Sequence, residues 1–461
     1  MAKFCTFFLL LILGYTGLNA QNTYNLELLA TWDDPNGPIA SPGNLNLKYS
    51  GCWGMAVNGR EYGILGGAGD IFIFDVTDPN NVFLRKRFPR PFVTIWREFK
   101  SYQNRLYAVT DGVDEGLTIY DFSQAPDTII ETYSSTEIFN KSHTITLDTI
   151  SGNIYLNGGS SGQGITILNV KDNPDVPVLV TKIPQLTGGY IHDSYVRNDT
   201  LYASSGNSGY FIYDFKTDVM NPKFIASVST GGYNHNSWLT ADGRYAYYTE
   251  EIPKGRPVQI VDLVEMNTTG QVELVGNGFL DNLVPGGTEA IPHNVYIKDN
   301  LLFNSQYEDG LLVYDISNPT APVLLTSYDT HTQNTGYNGY FGNWGNYPWL
   351  PSGNIVAGDM QNGFFLFKLT NSTNSTQDIE KSPNIVVAPN PANDEVVISF
   401  TESTKNWQYT LINNTGQRVR TAANISGTQV RVTLQGVPAG LYTVVVSEEN
   451  GFPVARKLVV H

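Results

Sequence analysis

Ile71-Phe72-Ile73-Phe74-Asp75 is an apolar strand that ends in an acid, and the chain writes it again and again. Leu117-Thr118-Ile119-Tyr120-Asp121, Ile165-Thr166-Ile167-Leu168-Asn169 and Tyr210-Phe211-Ile212-Tyr213-Asp214 follow. Then come Val258-Gln259-Ile260-Val261-Asp262, Leu311-Leu312-Val313-Tyr314-Asp315 and Phe364-Phe365-Leu366-Phe367-Lys368. The last position recurs at intervals of 46, 48, 45, 48, 53 and 53 residues. A period of this size, with several short strands in each repeat, is the signature of a β-propeller blade.

Each repeat divides further. A strand such as Leu106-Tyr107-Ala108-Val109 precedes the acid-ended one, and a glycine (Gly116, Gly164, Gly209, Gly310 or Gly363) sits in the hairpin between them. A turn and an outer strand such as Pro177 to Thr181 follow, and a fourth strand such as Thr144 to Leu147 opens the next repeat. The seventh repeat lacks its outer strand, because the chain beyond Lys368 turns polar. Leu26 to Trp32 resembles Pro322 to Tyr328 and is expected to supply that strand, closing the ring and removing an exposed sheet edge. The expectation is an all-β, seven-bladed propeller over residues 21–369. A polar linker follows at 370–383, then a small β-sandwich at 384–461, with strands at Val396 to Phe400, Gln408 to Ile412, Val430 to Leu434 and Leu441 to Val446.

The N-terminus reads as a secretory signal over residues 1–20: Lys3, the apolar run Phe7 to Leu13, then Leu18-Asn19-Ala20 before the cut. No later segment is long and apolar enough to span a bilayer. With Cys5 in the signal, Cys52 is the only mature cysteine, which excludes a disulfide framework and a cysteine-rich zinc site. A formal net charge of −15 argues against nucleic acid as a partner.

The C-terminal unit resembles the type A sorting domain of the type IX secretion system of Bacteroidota. The matching residues are Ala388-Pro389-Asn390-Pro391-Ala392, Asn414 to Arg418, Pro438-Ala439-Gly440-Leu441-Tyr442 and the basic-apolar end Arg456 to Val460. The resemblance implies the type IX machinery as a partner, export, and release or attachment at the outer cell surface. The repeats resemble the LVIVD-repeat family in its choice-of-anchor B subgroup, through Trp96 to Lys100, Ile191-His192-Asp193, Asn234 to Trp238, Pro292 to Tyr296 and Phe341 to Trp344. That resemblance carries no activity with it.

One repeat position carries chemistry. Counting back along the opening strand of repeats two to six gives Glu98, His143, His192, His235 and His293, with Trp344 in the seventh. The opening strand of a blade is innermost, so these residues are expected to ring one mouth of the central channel. The hairpins before the acid-ended strands are expected on the same face, bringing Asp111, Glu250, Glu251 and Asp359 as partners that orient the imidazoles. Neutral imidazoles suit one divalent transition metal: Zn, Fe, Cu, Ni or Mn. The alternative is that the histidines line the channel and hydrogen-bond backbone between blades. Ser142-His143 and His192-Asp193-Ser194 do not make a hydrolase triad, since neighbours on a strand face opposite ways and no nucleophile elbow accompanies them.

The leading functional expectation is a surface binding module for a polysaccharide or protein ligand. Its rivals are a metal-dependent enzyme of oxidase, oxygenase or hydrolase type and a structural surface-layer or biofilm component. Carotenoid-cleaving oxygenases and selenium-binding-type thiol oxidases are similar in plan, at the level of fold alone.

Overall fold

Residues 22–40, 45–333, 335–373, 385–413, 418–448 and 454–461 are described by a computed structural model of the chain. The expected signal peptide, most of the expected linker and the Asn414 to Gln417 motif lie outside the described residues. The chain is all-β and divides into two units, one of Thr23–Ser372 and one that includes Thr373–His461.

The larger unit contains seven four-stranded antiparallel sheets, an arrangement consistent with a β-propeller. Six are simple meanders whose first strands are Tyr49–Val57, Arg97–Tyr102, Thr144–Leu147, Asp193–Arg197, Asn234–Leu239 and Asn294–Lys298. The seventh runs Asn343–Tyr347, Asn354–Asp359, Gly363–Thr373 and then Asn22–Trp32, so the N-terminal strand completes the sheet made by the end of the unit. Gly363–Thr373 carries strand four residues into the expected linker.

Burial drops at the fourth strand of a sheet. In the first sheet Asp70–Asp75 is buried throughout, whereas Phe83–Pro89 is mostly exposed. The faces of neighbouring sheets pack through seven apolar clusters among the described residues, each drawn from two adjacent sheets. One joins Tyr107, Val109 and Ile119 to Ile145, Ile154 and Leu168; another joins the seventh sheet back to the first through Phe364, Leu366, Phe72 and Phe74. The pairwise packing is therefore cyclic.

The repeated residues have repeated causes. A Cβ added to Gly116, Gly164, Gly209, Gly310 or Gly363 would collide with the carbonyl oxygen of Ser135, Ile183, Val228, Tyr328 or Trp32, each the last residue of that sheet's fourth strand. Trp32 thus stands where Tyr328 stands in the preceding sheet. The acids that end the third strands are turn formers: Asp75, Asp121, Asp214, Asp262 and Asp315 each accept a backbone N–H two residues on.

In the smaller unit, all described strands belong to one five-stranded sheet. Val396 to Phe400 and Gln408 to Ile412, expected as separate strands, are two ends of one 19-residue strand, Glu395–Asn413. It pairs with Ile385–Ala388 at one end, with Gly440–Glu448 at the other, and with Arg418–Thr433 along its length. A parallel bridge between Ala392 and Val460 brings the two ends of the unit together around a core that includes Trp407, Leu411, Val444 and Leu458. The sheet curls on itself instead of stacking as two separate hydrogen-bonded layers.

Leu26 is buried against Phe303, Val313 and Phe365. Leu26→Ala is expected to cost about 2–4 kcal/mol in chemical denaturation. Deleting Asn22–Trp32 should lower the melting temperature far more and promote aggregation, because Gly363–Thr373 becomes a bare edge. Unchanged melting and solubility of the deletion would refute closure by this strand.

Candidate functional site

Glu98, His143, His192, His235, His293 and Trp344 all fall at the head of a first strand, so the seven-sheet packing turns one repeat position into neighbouring positions in space. The rings form a continuous arc. Centroid separations are 4.3 Å from His143 to His192, 4.2 Å to His235, 4.1 Å to His293 and 4.5 Å to Trp344.

Backbone hydrogen bonds set the tautomers. His192 Nδ1 bonds the carbonyl of His235 at 2.9 Å, His235 Nδ1 bonds that of His293 at 3.0 Å, and His293 Nδ1 bonds that of Trp344. A carbonyl can only accept, so each Nδ1 carries the proton and each Nε2 keeps a lone pair. These Nε2 atoms have no hydrogen-bond partner among the described residues. His143 begins the arc differently, with Nδ1 3.0 Å from Asp111 Oδ2. That contact holds the Asp111 carboxyl below its usual range.

Burial keeps three of the imidazoles neutral. It pushes the imidazoles of His192 and His235 well below the ordinary value near 6.5, and that of His293 down to about 3. Burial acts oppositely on the carboxyls, raising both Glu98 and Glu251.

His235, His293 and Glu251 form the group that can share an ion: one ligand atom of each lies within 4.8 Å of the others. Glu251 is further held by the Tyr307 hydroxyl, which donates to Oε1 at 2.7 Å. His192 and His143 lie further along the arc and are not in this group, nor is Glu98, which accepts from Trp344 Nε1 at 3.0 Å. Two expected partners belong elsewhere. Glu250 faces its own hairpin, paired with Arg256 at 2.7 Å and bonded by the Gly232 N–H. Asp359 is consumed by a turn, accepting from Thr330 Oγ1 and from the N–H groups of Gln361 and Asn362. Neither lines the cavities that meet the histidines.

Two cavities meet at the arc. One is a small void of about 20 Å³ bounded by Glu98, Lys100, Asp193 and the histidines. The other is a funnel of about 710 Å³ whose floor is the histidine arc. Its walls include Trp96, Tyr190, Tyr233, Tyr307 and Tyr340, none of them expected from the sequence as a site residue. A signal was there: Trp96, Tyr190 and Tyr233 each stand two residues before the arc position of their own repeat.

With this geometry in hand, comparison with protein families finds two matches. Residues 293–330, beginning at the arc residue His293, match the LVIVD repeat. Residues 386–461 match the secretion system C-terminal sorting domain. The chain carries both domains. The sorting domain indicates secretion through the type IX system and attachment at the cell surface. Among the described residues no helix is long and apolar enough to cross a membrane. Comparison with curated proteins finds no match.

The depressed imidazoles link stability to pH. Below about 6.5 the unfolded chain protonates these histidines while the folded chain does not, so stability falls as pH falls, by up to about 1.4 kcal/mol per pH unit for each. The raised carboxyls of Glu98 and Glu251 oppose this, being protonated more readily in the folded state. His192→Gln removes one histidine from the balance. Urea midpoints of the metal-free variant should therefore fall less steeply between pH 7 and pH 5 than those of the unaltered chain. Parallel profiles would mean that His192 is already charged when folded.

Proposed function

We propose that this protein is a secreted, surface-attached binding module. The seven sheets are blades of a propeller delivered by an N-terminal signal peptide and the C-terminal sorting unit. One divalent transition metal is held at the floor of the funnel by His235, His293 and Glu251.

The observation that carries this reading is the closeness of those three donors, two of them neutral imidazoles with the second nitrogen already bonded to a carbonyl. Metal-binding histidines are oriented in this way, because the outer hydrogen bond fixes the ring and leaves the other nitrogen basic. The imidazole–carboxylate set suits Zn, Fe, Cu, Ni or Mn, and no thiolate competes. His192, with Nε2 also unpartnered, is next along the arc, and Asp111 holds His143 at its far end. A second reading, a metal-dependent enzyme, draws on one further observation. Three donors leave coordination positions open, and the funnel lies over the same residues.

Elemental analysis of untagged protein incubated with Zn, Mn, Fe, Cu or Ni should find about one equivalent of metal. His235→Ala, His293→Ala and Glu251→Gln should each weaken retention by at least about tenfold, the range seen on disturbing a ligand set. His143→Ala should have a smaller effect. Metal-free protein under all these conditions, or equal retention by every variant, would remove the metal from the proposal.

Removal of residues 385–461 tests delivery separately. The truncated chain should fold and remain in the periplasm, detected by cell fractionation and surface labelling. Surface display at the normal level would reject the sorting role.

A further inference from the structure

The funnel's chemistry is specific about what it can accept. Its walls are apolar over most of their extent, from Leu47, Val93, Ile95, Val113, Ile252 and Met360. Trp96, Tyr190, Tyr233 and Tyr340 add aromatic faces. Among the described residues no lysine or arginine lines it, while two carboxylates do, Asp111 and Glu251. In the metal-free protein an anion entering would lose its hydration and meet no cationic side chain among the described residues. The floor is a row of hydrogen-bond acceptors, because Nδ1 of His192, His235 and His293 is spent on backbone carbonyls and Nε2 is left as a lone pair.

Size and exposure agree with this chemistry. About 710 Å³ lies within the range of pockets that enclose a drug-sized molecule, roughly 300–1,000 Å³. Among the lining residues Val93 and Ile252 remain about half exposed, at 52% and 48%, and Trp96 is 39% exposed. Apolar surface gathered around a polar-floored cavity marks a binding site more often than it serves the fold.

We infer that the funnel binds a compact, uncharged aromatic molecule bearing a hydroxyl, with the ring against the tyrosine and aliphatic walls and the hydroxyl donating to Nε2 of His192, the floor acceptor outside the set of His235, His293 and Glu251. This rests on the reading of the funnel as the ligand surface, and it does not require the metal. It favours a small molecule over the polysaccharide or protein ligand expected from the sequence, since a polymer would need polar groups along an open track.

The test uses the full chain, stripped of metal, with 2-naphthol as the probe, 2-naphthoate as its anionic counterpart and maltohexaose as a polar oligosaccharide. Calorimetric titration should show 2-naphthol binding with one-to-one stoichiometry, 2-naphthoate at least tenfold weaker, and no displacement of 2-naphthol by maltohexaose. Val93→Lys, at an exposed position that leaves the fold intact, should narrow or reverse the preference by giving the anion a partner. Tyr233→Ala should weaken 2-naphthol at least tenfold with melting nearly unchanged. Absence of one-to-one 2-naphthol binding, 2-naphthoate binding as tightly as 2-naphthol, or displacement by maltohexaose would overturn the inference. Metal content is read independently. Metal uptake without 2-naphthol binding would defeat this inference alone, and 2-naphthol binding by a chain that never takes up metal would defeat the metal site alone.

Discussion

Face-to-face burial between neighbouring sheets is the interaction on which the larger unit rests. Among the described residues, seven apolar clusters each join two sheets, and the middle strands of a sheet are mostly buried. A single four-stranded sheet would leave both faces wet, so stability grows with neighbours, as in other repeat proteins, and here the series returns to its start. Cyclic packing also has a geometric effect. It takes whatever residue occupies the head of the first strand and sets its copies side by side. Gly51 and Gly54 show how tight that inner layer is. A Cβ on Gly51 would run into the Arg97 carbonyl of the second sheet, and one on Gly54 into the Tyr347 ring of the seventh.

The same bonds serve packing and chemistry at the arc. Each Nδ1-to-carbonyl bond ties one sheet to the next, which is the structural role open to channel-lining histidines. Yet a bond made only for packing would not require imidazole, and the three Nε2 atoms are turned to the funnel with no protein partner among the described residues. The residual lone pairs and the adjoining Glu251 carboxylate are what packing leaves unexplained.

The repeat was legible because its causes are local and recur: a glycine where the fourth strand's carbonyl passes, an acid that closes a turn, and alternating apolar residues. The histidine position was legible for the same reason. The carboxylate was not. Glu250 and Glu251 are adjacent, and which one reaches the arc depends on where the strand Tyr245–Glu250 ends and on Arg256, which pairs with Glu250 and leaves Glu251 to Tyr307. Glu98 aligned with the histidines, but the distance across to Trp344 decided its partner. In the smaller unit the polar stretch between Phe400 and Gln408 reads as a break, whereas one strand continues across it with register shifts on either side of Thr404. Periodicity reports which faces are apolar and is silent on whether an interrupted run continues as one strand.

Closing the larger unit joins residues that are 345 apart in the chain, as in the contact of the Thr370 hydroxyl with the Asn25 carbonyl. Translation therefore makes one half of the last joint first and waits through nearly the whole unit for the other. For a wholly flexible chain, bringing ends so distant together would carry an entropic cost of about 5 kcal/mol, which the ordered sheets between them reduce. No nascent chain can meet it until Gly363–Thr373 has emerged, and the sorting unit follows directly. Ring completion is therefore a late event, and a chain interrupted anywhere upstream carries an open sheet edge.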